Sequence, residues 1–476
     1  AINQAGRSPA SNESNEVIPQ APVLNEDIDD DEVPEPSDTP PNDQPVDGDA
    51  QEAGSGEHAA GVNVLVNGQP VHPEEVATST VNNRQVITIT IDPERLNQLS
   101  ADEAGVVISV PVSTASETVI GSLNGQMVKD MERREAYVEI VTEDASYTLP
   151  ARQINIDALA EQFGPDIALQ DIQIEIEITA SNDEQLLLLE RTAGEEGFTI
   201  AVPPLQFTVR GVCEGNAIAI SVFNDYVQRM IAIPDDVDPN RITTAVVLEP
   251  DGTLRHIPTK VIRVNGRYWA VANSLTNSSY TLIWNPVRFS DMAGHWAEEA
   301  VNDMGSRKVV NGAGDSTYRP DQTITRAEFA AIIVRALGLK AAADGRDAIF
   351  RDVTKADWFN DAVRTAYAYK LINGFEDGTF RPDDPITREQ AMVIVSKAAL
   401  LTKLMEKTGG DFDMQLLSAY SDADQVSSWA RHGVAYTLHT GMINGRTRTE
   451  LAPAAFITRA EAAVIAQRLL LQSGLI

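Results

Sequence analysis

The sequence predicts a multidomain chain: a disordered acidic N-terminal tether, antiparallel β modules of sandwich-like form, and a mainly α-helical C-terminal region. Three observations predict it. The opening residues are acidic and proline-rich, the middle of the chain alternates with period two, and from about Phe289 the pattern turns helical and repeats. A length of 476 residues leaves room for about three or four domains with cores of their own. The boundaries read as 1–60, 61–210, 211–286 and 287–476, with repeats over about 287–340, 348–400 and 418–476.

The tether comes first. Residues 1–60 carry 15 Asp and Glu against the single Arg7, many prolines and few large apolar side chains, so too little surface can be buried to offset chain entropy. The run "DIDDDE" collects charge that suits calcium, but it lacks the Asp-x-Asp-x-Asp-Gly spacing of an EF-hand loop, and a solvated spacer explains it. Over the whole chain 70 acids face 37 bases, a formal net charge of −33, which argues against nucleic acid or an anionic membrane as partner. No apolar run is long enough to span a bilayer, and no basic start precedes an apolar core at the N-terminus. Ala1 at the first position suits a processed export product and a trimmed chain equally. Cys213 stands alone, allows no intramolecular disulfide, and reads as a small buried hydrophobe.

From about Val62 to Trp284 the segments "VITITI", "VVISVPVS", "IQIEIEI" and "AIAISVF" alternate or are rich in β-branched residues. Asn67-Gly68, Asn124-Gly125, Asp251-Gly252 and Asn265-Gly266 have the chemistry of tight hairpins. Two modules follow, with a break near Gly211. Two short helices interrupt the strands: one opening at Asp92-Pro93, the other "DALAEQFGP", which stops at Gly164-Pro165. Glu175 and Glu177 share a strand face, and paired carboxylates are what glycoside hydrolysis needs; an exposed face with the isoleucines inward explains them as well. No His-Glu-x-x-His, Gly-x-Ser-x-Gly or phosphate-cradling loop occurs, and His432 and His439 make only a weak metal spacing. The reading is therefore of no enzyme, no cofactor and no metal.

Three units then open with "FSDMAGHWAEEAV", "FRDVTKADWFNDAV" and "YSDADQVSSWARHGV" and run through "VVNG", "LING" or "MING" to "ITRAE", "ITREQ" or "ITRAE". Trp296, Trp358 and Trp429 each precede their unit's arginine by 30 residues, and Asn311, Asn373 and Asn444 precede it by 15. Thr325, Thr387 and Thr458 sit at N-caps, and Glu328, Gln390 and Glu461 three residues later complete capping boxes. The apolar positions that follow form a buried helical stripe.

Folding alone does not account for the arginines. Arg326, Arg388 and Arg459 occupy the first helical position, where a cation meets the positive end of the helix dipole at a cost of about 0.3 to 1 kcal/mol if exposed. Two answers stand. Each arginine pairs with a carboxylate such as Asp291, Asp352 or Asp422, or guanidinium and free helix N–H groups together bind an external anion. The tryptophans read either as core or as an aromatic face for a sugar that carries an acid. Asn373-Gly374 and Asp377-Gly378 turn the intervening loop and leave N–H groups available.

These stretches, "LINGFEDGTFRPDDPITREQA" above all, resemble three tandem S-layer homology motifs over roughly the last two fifths of the chain. The resemblance implies a pseudo-threefold, three-lobed helical domain that anchors exported proteins non-covalently to a secondary polysaccharide of the bacterial cell wall, often one carrying pyruvylated sugars held in grooves between lobes. By motif, Arg326, Arg388 and Arg459 would contact the carboxylate, Trp296, Trp358 and Trp429 would line or support the grooves, and Asn311-Gly312, Asn373-Gly374 and Asn444-Gly445 would supply backbone donors. Basic residues such as Arg319, Lys370 and Arg381 fall around these grooves. The second unit matches fully, so Arg388 is expected to matter most. Ser316 replaces Gly378 in the first unit; Arg448 and Thr449 replace Asp377 and Gly378 in the third, and Ala454 replaces Asp383, so the third groove loop departs from the motif and Arg459 is expected to be mainly structural. An anchored, non-catalytic surface protein is the function implied, located at the cell wall, with the β modules as spacer or presented module. The absence of a Leu-Pro-x-Thr-Gly sorting motif fits non-covalent attachment. The alternatives are a lattice-forming layer protein that contacts other copies of itself through the β modules, or a displayed glycan-active enzyme.

Overall fold

The computed structural model describes residues 62–82, 84–92, 105–114, 116–341, 349–408 and 412–476. The tether expected over 1–60 and the helix expected from Asp92-Pro93 lie outside the described residues.

Two sheets face each other across one apolar core. The first has eight strands in the order Thr259–Val264, Arg267–Thr276, Val222–Ala232, Ala145–Pro150, Tyr137–Val141, Val107–Pro111, Val64–Val66, Gln69–Val71. The second runs Leu254–Ile257, Thr244–Leu248, Ser279–Trp284, Thr199–Cys213, Gln173–Ala180, Thr118–Asn124, Arg84–Thr90, Glu75–Val81, with Asn216–Ala219 as a further partner of Thr199–Cys213. Alternation explains the layering. On Gln173–Ala180 the isoleucines at 174, 176 and 178 are buried while Glu175 and Glu177 look outward.

Both sheets depart from the sequence reading. They are mixed: Arg84–Thr90 pairs parallel with Thr118–Asn124, and Val107–Pro111 parallel with Tyr137–Val141. Successive strands alternate between sheets here, so each returns beside an earlier strand in the same direction. Nor is there a break at Gly211, which lies inside the continuous strand Thr199–Cys213, and a single core joins residues from Val64 to Leu282. Gly211 is small for another reason: a Cβ there would come within 2.5 Å of Leu159, on the helix packed across the strand.

Among the described residues the α-helices of this body are α1 (Gly125–Arg133), α2 (Ile156–Phe163) and α3 (Asp183–Glu196). Asn124-Gly125 is thus a helix start and not a hairpin: Asn124 caps α1 through a bond from the Met127 N–H, and Gly125 leaves space for Leu169 O. Asn67-Gly68 and Asn265-Gly266 do form two-residue hairpin turns, all four residues having positive φ. Asp251-Gly252 closes a longer turn, and α2 ends at Gly164 as expected.

The C-terminal region holds α4 (Glu298–Ser306), α5 (Arg326–Ala336), α6 (Asn360–Ala368), α7 (Arg388–Leu401), α8 (Leu404–Lys407), α9 (Arg431–His439) and α10 (Arg459–Gln472). It is clasped to the β body within one compact unit, residues 59–476. Tyr226 donates to Leu337 O at 2.7 Å, Arg255 to Gly338 O at 2.9 Å, Asn285 to Ser306 O at 2.7 Å, and Lys403 pairs with Asp225 at 2.7 Å.

Candidate functional site

The three Ile-Thr-Arg stretches meet at the centre of the helical region. Ile324 N–H donates to Ile457 O, Ile457 N–H to Ile386 O, and Ile386 N–H to Ile324 O, which closes a ring of three backbone bonds around three fully buried isoleucines. Each threonine then caps its helix, with all three capping boxes formed. That much of the repeated motif is explained by folding, at about 1 kcal/mol per cap.

The helix starts are not open to an anion. The first two N–H groups of α5 donate to Asp384 O and Pro382 O, those of α7 to Ala455 O and Pro453 O, and those of α10 to Gln322 O and Pro320 O. Threonine takes the third in every case. The alternative in which free helix N–H groups hold a ligand is thereby overturned, because the loop of another unit already occupies them.

Those contacts run one way round the ring, and the arginines follow. Arg326 of the first unit donates to Phe380 O and Gln390 Oε1 of the second, at 2.9 and 3.1 Å. From the second unit, Arg388 reaches Leu451 O, Asn444 O and Glu461 of the third at 2.9, 2.7 and 3.2 Å. Arg459 of the third returns to Tyr318 O, Asn311 O and Glu328 of the first at 2.8, 2.8 and 3.4 Å. Helix packing is displaced in the same sense: α5 lies on α6, α7 on α9, and α10 on α4. A structural lobe is therefore made from two sequence repeats.

Asp291, Asp352 and Asp422 are not the arginines' hydrogen-bond partners. Each accepts two backbone N–H groups from its own loop: Tyr318 and Arg319, Phe380 and Arg381, Leu451 and Ala452. Burial opposes the charge on Asp291 and Asp422, but these bonds outweigh it and hold both carboxyls below their ordinary range.

The loops differ. In the second, Asp377 accepts from Thr379 and Arg381, which brings its carboxyl down to about 2, and Gly378 takes the left-handed conformation. The first keeps this turn with Ser316 at φ +64°. The third has no counterpart; Arg446 instead donates to Glu461, the acid that already holds Arg388. Phe375, where the first loop has Ala313 and the third Arg446, has two guanidinium groups over its ring, Arg381 at 3.9 Å and Arg326 at 4.8 Å.

Gly312, Gly374 and Gly445 serve packing: a Cβ on any of them would come within 2.8 Å of Phe289, Phe350 or Tyr420, the aromatic that opens each unit. Where the structure shows hydrogen bonding at these turns it is by acceptors, the carbonyls of Asn311 and Asn444. The tryptophans are not core residues. Trp296, Trp358 and Trp429 are 65%, 64% and 58% exposed, each two residues ahead of a helix. No hydrogen bond or ring contact among the described residues joins any of them to Arg326, Arg388 or Arg459, so the structure gathers the arginines and loops together and leaves the aromatics on the surface.

A closed three-part ring with one capped Thr-Arg helix per part matches a known module. The S-layer homology domain model matches residues 288–330, 349–392 and 419–463. Residues 288–463 hold three S-layer homology (SLH) domains. They place the chain at a bacterial cell surface, anchored to the cell wall. The chain is similar to an amylopullulanase of Thermoanaerobacterium thermosulfurigenes, 36% identical over 42% of this chain and 10% of that protein. An exoglucanase of Acetivibrio thermocellus is 36% identical over 42% of this chain and 18% of its own length. A surface-layer 125 kDa protein of Lysinibacillus sphaericus is 32% identical over 38% of this chain and 14% of its own. The chain thus spans less than a fifth of each of these three relatives.

Outside the SLH domains, Glu175 and Glu177 are both engaged by Arg210, at 2.5 and 3.5 Å, on the outer sheet face. His432 and His439 flank the Phe412 ring, and among the described residues no group of His, Cys, Asp or Glu is arranged to hold a metal. Cys213 is buried.

Proposed function

We propose that the chain is a non-catalytic surface protein whose SLH domains bind an acidic, pyruvylated secondary cell wall polysaccharide, and that the acid is taken at the second loop by Arg326. One observation carries this assignment. Arg388 and Arg459 each face a capping glutamate, whereas Arg326 faces Gln390, a neutral side chain. In the glutamate units one carboxylate oxygen completes the cap and the other takes the arginine; in the second unit Oε1 of Gln390 does both and offers no charge. Arg326 has no carboxylate within ion-pair distance among the described residues, and its remaining terminal nitrogen makes no hydrogen bond there. Phe375 beside it carries the guanidinium over its ring and holds it at the loop. The exposed tryptophans are platforms for a sugar.

This moves the weight from Arg388 to Arg326: the loop that matches the motif fully is served by the arginine of the preceding unit. The non-catalytic reading rests on Glu175 and Glu177, the one carboxylate pair the sequence offered, being held by Arg210. Calorimetric titration of the whole chain with wall polysaccharide, intact or stripped of its acidic ketals, tests the proposal. Binding weaker by at least about tenfold, or about 1.4 kcal/mol, is expected on stripping and in Arg326→Ala, with Arg326→Lys between. Equal binding of both polymers would rule out recognition of the acid, and an unchanged Arg326→Ala would move the site elsewhere.

A further inference from the structure

The charge of this chain is uneven in a way the SLH domains do not use. Residues 252–290 contain no Asp or Glu at all but five Lys and Arg, in a chain of net charge −33. Three of the five, Lys260, Arg263 and Arg267, lie on one hairpin, Thr259–Val264 with Arg267–Thr276. None of the three has an ion-pair partner among the described residues. Arg263 stands over the Tyr268 ring at 5.3 Å and Arg267 over Trp269 at 5.2 Å. Their hydrogen bonds go to backbone carbonyls, Gly266 O and Glu143 O, which leave the charges uncompensated.

The same hairpin ends the eight-stranded sheet. Thr259–Val264 has a neighbour on one side only, and Arg307 covers its start by donating to Thr259 O at 3.1 Å. From Lys260 to Val264 no backbone hydrogen bond among the described residues engages the outer edge. Val261, Arg263 and Tyr268 share one face by register, and all three are exposed, Val261 and Tyr268 by 36% and 38%. An open edge, a small apolar shelf and three unpaired cations coincide.

We infer that this edge is a docking strand for an acidic polypeptide segment, added in extended form to the eight-stranded sheet. The backbone edge supplies hydrogen bonds that a polyanionic glycan would not use, and the cations supply the charge preference. Val261 and Tyr268 receive the partner's apolar side chains between its acids. Charge complementarity is the argument for the occupant: acidic segments fit this hairpin, and the rest of the chain, strongly anionic, repels them.

The test uses the full chain and a fluorescent peptide of residues 24–49 of this sequence as probe, with an uncharged Asn/Gln version and dextran sulfate as controls. Anisotropy should show binding of the acidic peptide that weakens at least tenfold in the Lys260→Glu/Arg263→Glu double variant, a surface change that leaves the core alone. Hydrogen exchange should show protection gained at alternate amides between Lys260 and Val264. Binding without that protection, or dextran sulfate binding that equals the peptide's and is equally lost in the variant, would overturn strand addition in favour of simple charge attraction. No binding of the acidic peptide, together with amides between Lys260 and Val264 that exchange equally fast in the full chain and in the double variant, would overturn the inference entirely, since the chain's own copy of the segment would otherwise protect them.

Discussion

The second and third loops of the SLH ring share a scaffold and differ in what their arginine meets. In both, a guanidinium from the preceding unit enters beneath the loop and donates its Nε to a backbone carbonyl, Phe380 O in one and Leu451 O in the other. In the third loop Glu461 neutralises Arg388 and takes Arg446 as well; in the second, Gln390 accepts a hydrogen bond and leaves Arg326 without a directly paired carboxylate, its nearest acids being Asp384 and Asp352 at longer range. Geometry is thus common property of the ring, and charge balance is set unit by unit. A motif arginine is a clamp where its neighbour supplies an acid and a candidate receptor where it does not.

Removing Arg388 should give the largest effect and break the ring. Its side chain is only 5% exposed and makes three cross-unit bonds, so Arg388→Ala strands the Asn444 and Leu451 carbonyls and leaves Glu461 to Arg446 and its cap alone. A loss of about 3 kcal/mol is expected, seen as a lowered thermal midpoint, with Arg326→Ala costing less because it makes two such bonds. Equal losses in both would remove the distinction between clamp and receptor.

Gly374→Ala comes next. Its Cβ would lie 2.4 Å from Phe350 and 2.7 Å from Thr379 O, the second of which is backbone and cannot yield cheaply. Overpacking of this kind costs about 1 to 3 kcal/mol. Since it distorts the loop that Arg326 enters, stability and polysaccharide affinity should fall together, as calorimetry and thermal melting on the same sample would show.

Gln390→Glu sharpens the comparison with a smaller change. It copies the third unit's chemistry into the second, giving Arg326 an internal carboxylate while keeping the cap. Affinity for the acidic polymer should fall about tenfold with stability held or slightly raised, since a capping glutamate pairs with an arginine in the other two units. An unchanged affinity by titration would mean that the free charge of Arg326 is not what the polymer reads.

The legible parts of this molecule were those written locally. The capping boxes, the Asn67-Gly68 and Asn265-Gly266 turns, the stop of α2 at Gly164 and the alternation of Gln173–Ala180 need only neighbours in sequence. What failed needs partners far away. The parallel pairings arise because strands alternate between sheets, and Gly211 looked like a boundary because the side chain of Leu159, packed on it, is far off in sequence. Helix α3 carries a local signal as well, Asn182 as cap and Gly197 at the stop. At the site, the repeat showed that Arg, Asn and Trp belong to every unit, but not that each arginine serves the next. A tandem repeat has no way to state in one dimension that its ends join, and the closing bonds, Arg459 to Tyr318 and Ile324 to Ile457, exist only in the folded ring.

The smallest effect concerns the aspartates that hold the loops, and its sign follows from their hydrogen bonds. Asp422 accepts from the N–H groups of Leu451 and Ala452, at 2.9 and 2.7 Å, and its carboxyl sits below the ordinary range when folded. The unfolded chain then binds the proton first as pH falls, so the stabilisation is complete above the unfolded value of about 4 and is lost as pH drops through the lower folded value. Asp291 behaves alike in the first loop. Melting curves from pH 6 down to 2 should therefore lose midpoint steadily below about 4, and Asp422→Asn should flatten part of that slope while lowering the midpoint at neutral pH. A neutral asparagine still accepts one N–H but turns an NH₂ toward the other, so the third loop alone is loosened. Because Leu451 O and Asn444 O in that loop hold Arg388, the variant should lower the cost of Arg388→Ala when the two are combined, whereas Asp291→Asn, in the first loop, should leave that cost unchanged.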